Sequence, residues 1–227
     1  MEKYYKLLPS VDMKVMGVSI QSQKHLPNEG WMYWNSDSYI TVAEEGKINY
    51  QPTFPIFGLE KKAKVTDFIF GVNTGIKWLL INQRFLDVLK NFNIDEYQVF
   101  NIKVKTKTEE LLDYFMLFIN YGRDKNYVDW EKTKFRHTTQ FMQKDIKALT
   151  FQDFEAFKKL QRELYLVNED IALDSLHLKN SEISTDIFRL CGVDSGFFVS
   201  ERVKKELESK KITGIQFIET TELRQPM

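Results

Sequence analysis

The sequence predicts a mixed α+β fold that is rich in β-strands and uses one strand–helix–strand unit twice, with a few packed helices. Residues 78–100 (WLLINQRFLDVLKNFNIDEYQVF) align without a gap on residues 196–218 (GFFVSERVKKELESKKITGIQFI). In both stretches a short apolar run precedes a capping residue and a helix with apolar residues on one face. Short apolar runs elsewhere in the chain are typical of strands.

The composition indicates a globular chain without a charge signature. Hydrophobic residues make up 43% of the 227 residues, which is enough for a packed core. Lys+Arg and Asp+Glu both number 32, so no net charge favours a nucleic acid or an anionic membrane. The N-terminus lacks the apolar segment of a secretory signal, and no run approaches the roughly 20 apolar residues of a spanning helix. We therefore expect a cytoplasmic protein, whose oligomeric state the sequence does not indicate.

Residues 1–65 are predicted to be a β-rich segment that packs on the rest of the chain. The cluster WMYWNSDSY, residues 31–39, is the part densest in aromatic residues. In an extended conformation Trp31 and Tyr33 would share one face of this cluster. The predicted elements are strands at 3–8, 12–20 and 39–43, loops at 21–30 and 44–47, and a rigid linker, QPTFP, at 51–55.

The first unit and the strands that follow it occupy residues 66–136. Asn82 is placed to cap a helix whose apolar residues recur at helical spacing. The aromatic run YFMLFINY, residues 114–121, predicts a central strand that pairs with the strand before it. The predicted elements are strands at 67–70, 78–81, 97–105 and 114–121, and a helix at 83–93 with its apolar stripe on Phe85, Val88, Leu89 and Phe92.

Residues 137–227 are predicted to hold a helix, a strand and the second unit. Ser200 is the capping residue here. The single cysteine, Cys191, lies in an apolar run and is interpreted as a small buried residue. The predicted elements are helices at 151–165 and 201–211 and strands at 171–179, 187–191, 197–199 and 215–219. The pattern leaves open whether the chain forms one compact unit or two tightly packed subdomains.

The chain carries no recognisable catalytic or metal-binding motif. Its three histidines, His25, His137 and His177, are far apart, and none has a second His or Cys at ligand spacing. The loop GVNTG, residues 71–75, lacks the Lys-Ser/Thr pair of a phosphate-binding loop. A catalytic set or a metal site would have to be assembled by the fold from residues far apart in the chain. We expect neither a metal nor a cofactor.

The polar residue that recurs in the two units is an arginine near the start of each helix. Arg84 aligns with Arg202, and an aspartate precedes each of them, at Asp67 and Asp186. We interpret these four residues as two ion pairs that join the start of each helix to the strand before it, with ligand binding as the alternative. Replacing either arginine by alanine is expected to lower the melting temperature.

Two segments resemble bacterial immunity proteins of polymorphic toxin systems. One is SERVKKELESKKITGIQF, residues 200–217, and the other is YVDWEKTKF, residues 127–135. Both are similar to segments of immunity-protein family forty-three and of the MXAN-type immunity proteins. The first unit departs from the pattern, because Asn82-Gln83-Arg84 stands where the second unit has Ser-Glu-Arg.

The resemblance implies a protein that binds a cognate toxin in the cytoplasm and blocks it by occlusion, without catalysis. It assigns no toxin-contacting residue. On chemistry alone the candidates are Trp31, Tyr33, Trp34 and Trp130, because Trp and Tyr are favoured at protein interfaces. For each of them, burial in the core is the alternative. Two other functions stay open: an enzyme or small-ligand protein with its site between the two units, and a self-assembling structural protein.

Overall fold

The computed structural model describes residues 3–42, 46–71, 74, 78–120, 127–139, 144–179, 182–190 and 192–223. The prediction of a mixed, strand-rich fold is confirmed. The α-helices are α1 Met13–Met16, α2 Gln83–Leu89, α3 Phe154–Tyr165 and α4 Glu201–Ser209. The strands are β1 Tyr4–Pro9, β2 Ser22–Leu26, β3 Ile56–Leu59, β4 Trp78–Ile81, β5 Tyr97–Lys105, β6 Leu111–Ile119, β7 Lys134–Thr139, β8 Asp145–Leu149, β9 Glu169–Ser175, β10 Ile187–Leu190, β11 Asp194–Ser200 and β12 Ile215–Glu219.

The largest sheet has five strands in the order β2-β3-β5-β6-β4. Its two edges are linked through one segment, because Phe68 bridges Ile81 of β4 and Gly71 bridges Ser22 of β2. The sheet therefore curls into a nearly closed barrel. Successive side chains of a strand point to opposite faces of the sheet, so apolar side chains pack on both faces. On β4, Trp78 belongs to the cluster inside the barrel, whereas Ile81 packs outside it.

The second sheet has four strands in the order β10-β11-β1-β12, and all of its pairs are antiparallel. The first strand of the chain, β1, thus lies between two strands from its last quarter. On one face, Leu7 and Val199 pack with Val203 and Leu207 of α4 and with α2. The other face carries Tyr4 and contributes to a third cluster.

The third sheet, β8-β7-β9, is covered by α3. The N-cap of α3 is Asp153, whose Oδ1 accepts a hydrogen bond of 2.8 Å from the Ala156 N–H. Phe157 of this helix is buried against Phe135 of β7, and the cluster reaches Phe188 and Phe198 of the four-stranded sheet. The three-stranded sheet and α3 therefore pack on the face opposite α4.

Several predictions for residues 12–43 were wrong. Residues 12–20 do not form a strand: Asp12 caps the short helix α1, and Gly17 ends it at φ +79°, which only glycine adopts readily. The predicted loop at 21–30 contains β2, and of the predicted strand at 39–43 residues 39–41 form a turn, while residue 43 lies outside the described residues. The polar side chains of β2 resemble a loop sequence, and the apolar side chains of the turn resemble a strand.

Elsewhere the periodic patterns gave better predictions. The strands at 78–81, 97–105 and 215–219 are confirmed, as is the pairing of β5 with β6. Asn82 and Ser200 cap α2 and α4 as predicted. The helices α2 and α4 end four and two residues earlier than predicted, whereas α3 ends at Tyr165 as predicted but begins three residues later. Within the segment at 67–70, Phe68 makes an isolated bridge and no strand is formed. Cys191 and most of the loop at 71–75 lie outside the described residues.

Each aligned stretch forms a strand, a capped helix and a second strand, in that order. That the two arose by duplication stays a prediction, as does the division of the chain at residues 65 and 136.

Candidate partner interface

The aromatic cluster lies on a loop, residues 27–38, that is built from successive tight turns. Backbone hydrogen bonds run from Trp31 to Asn28, from Asn35 to Met32 and from Ser38 to Asn35, at 3.0–3.1 Å. The Thr41 hydroxyl lies within hydrogen-bond distance of three carbonyls of this loop, of which that of Ser38 is the nearest at 2.8 Å. At the loop's end Tyr39 is fully buried, so the turns are anchored in the barrel cluster.

This geometry sorts the predicted contact residues by direction. Trp31 is half-buried, with its ring edge-on to His25 at 5.7 Å between centroids. Met32, Tyr33 and Trp34 face outward and are 61%, 38% and 84% exposed. The ring centroids of Tyr33 and Trp34 lie 4.5 Å apart, so the two exposed rings pack edge-on against each other. We call these three residues the aromatic knob.

Trp130 lies elsewhere, in the cluster between α3 and the three-stranded sheet. It is only 8% exposed and packs on Phe135, Phe154 and Phe157 with ring centroids 5.9–6.2 Å apart. A side chain enclosed in this way is not available to a partner without local unfolding. The structure therefore argues against Trp130 as a contact residue.

The four polar residues singled out from the sequence form two buried carboxylate sites. Asp67 accepts hydrogen bonds from Arg84 Nη1 at 2.9 Å and from Asn82 Nδ2 at 2.9 Å. Asp186 pairs with Arg202 and accepts from the Ser200 hydroxyl at 2.8 Å. In each site the aspartate joins the capping residue and the arginine of its own unit.

Each aspartate also binds the other unit. The backbone N–H and hydroxyl of Thr213, which follows α4, donate to Asp67 Oδ2 at 2.7 and 2.8 Å. Reciprocally, the backbone N–H of Asn93, which follows α2, donates to Asp186 Oδ2 at 2.9 Å. The two sites therefore tie the turn after each helix to the start of the other.

These contacts set the charge state of the two carboxyl groups. Burial alone would raise the pKa of Asp67, but the hydrogen bonds from Thr213 and Asn82 and the charge of Arg84 outweigh it and hold this pKa below its usual range. Burial likewise opposes ionisation of Asp186, and bonds from Arg202, Asn93 and Ser200 lower its pKa. Both groups are carboxylates near neutral pH.

Acid is expected to destabilise the protein through these two groups. Because their pKa is lower in the folded than in the unfolded chain, their contribution is complete above the unfolded value of about 3.9 and is lost as the pH falls through the folded value. Urea denaturation between pH 7 and pH 2.5 measures the loss. The double variant Asp67→Asn and Asp186→Asn should show a shallower decline below about pH 4; an unchanged slope would contradict the assignment.

A cavity of about 610 Å³ opens where the barrel and the two other sheets meet. Its wall is mostly apolar, with Leu8, Leu173 and Ile218 among the lining residues. Two paired cations stand in it: Lys6 bonds Asp194 at 2.6 Å, and Arg136 pairs with Asp145 and Asp174. Residues of both units contribute to this wall, which is what a small-ligand site between the units requires.

Among the residues that the structure describes, no group of three or more His, Cys, Asp or Glu side chains is arranged to hold a metal. Within the same ranges no helix combines the length and the apolar character needed to cross a bilayer.

Sequence reasoning missed three features of these surfaces. Asn93 acts through its backbone N–H, and Thr213 through its backbone N–H as well as its hydroxyl; residue type does not reveal a backbone donor. A second exposed apolar surface, Tyr165-Leu166-Val167, lies at the C-terminal end of α3. Its signal is visible in the sequence, because these residues continue beyond the apolar stripe of the helix.

No curated protein matches the chain. A family model, Immunity protein 43, matches residues 1–226, which is nearly the whole sequence. It includes both segments on which the resemblance rests and also the N-terminal 60 residues, which lie outside those segments. The chain therefore belongs to the Immunity protein 43 family.

Proposed function

We propose that the protein binds a cognate toxin in the cytoplasm of the producing cell and neutralises it by covering its active surface. Membership of the Immunity protein 43 family is the observation that carries this proposal. The action is stoichiometric and requires no catalytic residue of the immunity protein. Neither a nucleic acid nor a membrane is a partner in this mechanism.

Occlusion requires a stable interface, which buries about 800 Å² on each partner. Within such an area a few large side chains supply most of the binding free energy, and Trp and Tyr are the commonest of them. The aromatic knob has these properties: it is exposed, and its loop is held by turns and by buried Tyr39. A preorganised loop loses little conformational entropy when a partner binds.

The direct test is co-expression with the protein encoded next to this gene. A toxin-sized neighbouring reading frame that stops growth when expressed alone should no longer do so when this chain is present. Purified, the two proteins should form a complex of defined stoichiometry. Continued toxicity despite soluble expression of both proteins would remove the proposal for that toxin.

We expect Trp34→Ala, combined with Tyr33→Ala, to weaken toxin binding by about 2–4 kcal/mol, because both rings are at the outer surface of a rigid loop. Isothermal titration calorimetry with an inactivated form of the toxin measures this loss. The melting temperature should change little, since both side chains are exposed.

The matched control is Tyr165→Ala combined with Leu166→Ala, which removes two exposed apolar side chains at the end of α3. This control should bind the toxin as the unmodified protein does. Equal losses in the two double variants would show that the knob has no special part in binding.

The alternative function, an enzyme or small-ligand protein with its site between the two units, is favoured by the cavity of about 610 Å³. Pockets of this size and apolar character take ligands of drug-like size. A thermal-shift screen of metabolite-sized compounds, with Leu173→Trp as a variant that fills the cavity, tests it. A ligand of this cavity should stabilise the unmodified protein and not the variant. If no compound behaves in this way, toxin binding is left as the sole proposal.

We infer further that the two strand–helix–strand units are copies of one ancestral unit and serve as scaffold. Both place Asp, cap and Arg at matching positions, and their carboxylate sites are linked reciprocally. Relatives in which the two stretches are no more alike than unrelated segments would remove this inference.

A further inference from the structure

The strand β12 forms an open edge of the four-stranded sheet. It pairs with β1 on one side, and in the sheet order no described strand follows it on the other. All five of its residues are half-buried, so no element covers it fully. An edge of this kind presents a row of backbone donors and acceptors to any extended chain.

The register defines which groups face outward. Ser10 N–H donates to the Gly214 carbonyl at 3.0 Å, one step beyond the pair formed by Pro9 and Ile215. Hydrogen-bonded and non-bonded pairs alternate in an antiparallel ladder, so Gln216 and Ile218 bond to β1. The N–H groups of the other three residues point away from β1; these are Ile215, Phe217 and Glu219. Pro9, which has no N–H, fits its non-bonded position.

Two other sheet edges are closed by the chain itself. The N–H of Asp95 donates to the Ile187 carbonyl at 2.9 Å and closes the β10 edge. Ile69 N–H donates to the Leu80 carbonyl at 2.9 Å and closes the β4 edge.

The edge of β8 is open but is protected in another way. It carries the exposed Lys147, and its register with β7 is irregular. Lysine and irregular pairing are devices that keep foreign strands from an edge. From Ile215 to Ile218, β12 has neither a charge, a proline nor a register shift.

The open edge lies between two hollows. Gln216 and Ile218 line the apolar cavity of about 610 Å³ on one face. On the other face a smaller hollow of about 430 Å³ lies beside α4, lined by Lys204, Leu207 and Ile212 among others. At the mouth of the larger cavity Val11 and Met13 are 76% and 53% exposed. Side chains of an added strand alternate between two faces, so they would enter the two hollows in turn.

We propose that β12 receives an extended segment of the cognate toxin, which adds a fifth strand to the four-stranded sheet and places apolar side chains at alternate positions in the larger cavity. This inference rests on the proposed function. The backbone bonds supply affinity and the cavity selects side chains, as in other cases of strand addition. A second copy of this chain is a poorer occupant. Its Gln216 and Ile218 already line its own cavity and cannot fill another.

Amide hydrogen exchange of the intact protein, alone and with the toxin from the neighbouring gene, tests this arrangement. In the free protein the amides of Ile215, Phe217 and Glu219 should exchange fast, and those of Gln216 and Ile218 slowly. Toxin should slow the first set by about tenfold or more and leave the second set unchanged. Fast exchange of the first set in a complex that still forms would overturn the proposal.

Glu219→Pro is the matched variant. Its native φ of −61° suits proline, so the ladder to β1 stays intact while one outward N–H is lost and the ring blocks an added strand. Toxin affinity should fall about tenfold or more. Glu219→Ala removes the same side chain and its contact with Lys3 but keeps the N–H, and it should bind within about twofold of the unmodified protein.

The remaining outcomes separate the two proposals. Equal affinity of the Pro and Ala variants, with toxin still neutralised, would sink strand addition and leave the immunity function standing. Protection of Phe217 that grows with protein concentration in the absence of toxin would identify a second copy as the occupant and overturn the proposal. A toxin that the unmodified protein neither binds nor neutralises would overturn both.

Discussion

We expect Trp130→Ala to lower the free energy of unfolding by about 3–5 kcal/mol, the range found when a large aromatic side chain is removed from a core. The ring of Trp130 is stacked on Phe135 at 6.0 Å and also packs on two phenylalanines of α3. Its removal leaves a cavity between the helix and the three-stranded sheet. Urea denaturation monitored by far-UV circular dichroism measures the change.

Trp34→Ala is the control for this experiment, because it removes the same residue type from an 84% exposed position. Its free energy of unfolding should stay within about 0.5 kcal/mol of the unmodified protein. If Trp130→Ala instead kept full stability and lost toxin binding, Trp130 would be a contact residue as first predicted from the sequence.

Loss of one buried carboxylate should be nearly as damaging. We expect Asp186→Ala to lower the free energy of unfolding by about 2–4 kcal/mol, because it leaves buried donors without their acceptor. The donors are the Ser200 hydroxyl and the Asn93 N–H. Asp67→Ala should cost a similar amount through Asn82 and Thr213.

The arginines of the same sites supply the comparison. Arg84 and Arg202 are at least half exposed, so solvent screens their charge and Arg202→Ala should cost less than about 1 kcal/mol. Chemical denaturation of the four single variants gives the ranking. An arginine variant as unstable as its aspartate variant would mean that the ion pair, rather than the hydrogen bonds to the other unit, dominates the site.

The features of the fold that could be predicted are those determined by residues within one short segment. The caps at Asn82 and Ser200 and the strand at 97–105 follow from residue types and spacing within one segment. The place of β1 between β11 and β12 does not, because its partners lie some two hundred residues away in the chain. The prediction of short elements was also wrong. Where a strand was predicted at 12–20, the chain forms a helix of four residues that Asp12 caps and Gly17 ends.

The candidate interface was predictable only in part. Composition singled out the aromatic cluster, but whether a ring faces solvent depends on tertiary packing. Tyr33 and Trp34 point outward because the loop turns, whereas Trp130 has the same chemistry and is enclosed by α3. The open edge of β12 could not be predicted from residue types, since it depends on which of the described strands pair with one another in the fold.

The central position of β1 has a consequence for synthesis on the ribosome. Residues 4–9 emerge first, yet both of their neighbours in the sheet, residues 194–200 and 215–219, are among the last to be made. The four-stranded sheet therefore assembles only after nearly the full chain has been translated. A nascent or prematurely terminated chain lacks this sheet, so only chains translated past residue 219 can complete the fold.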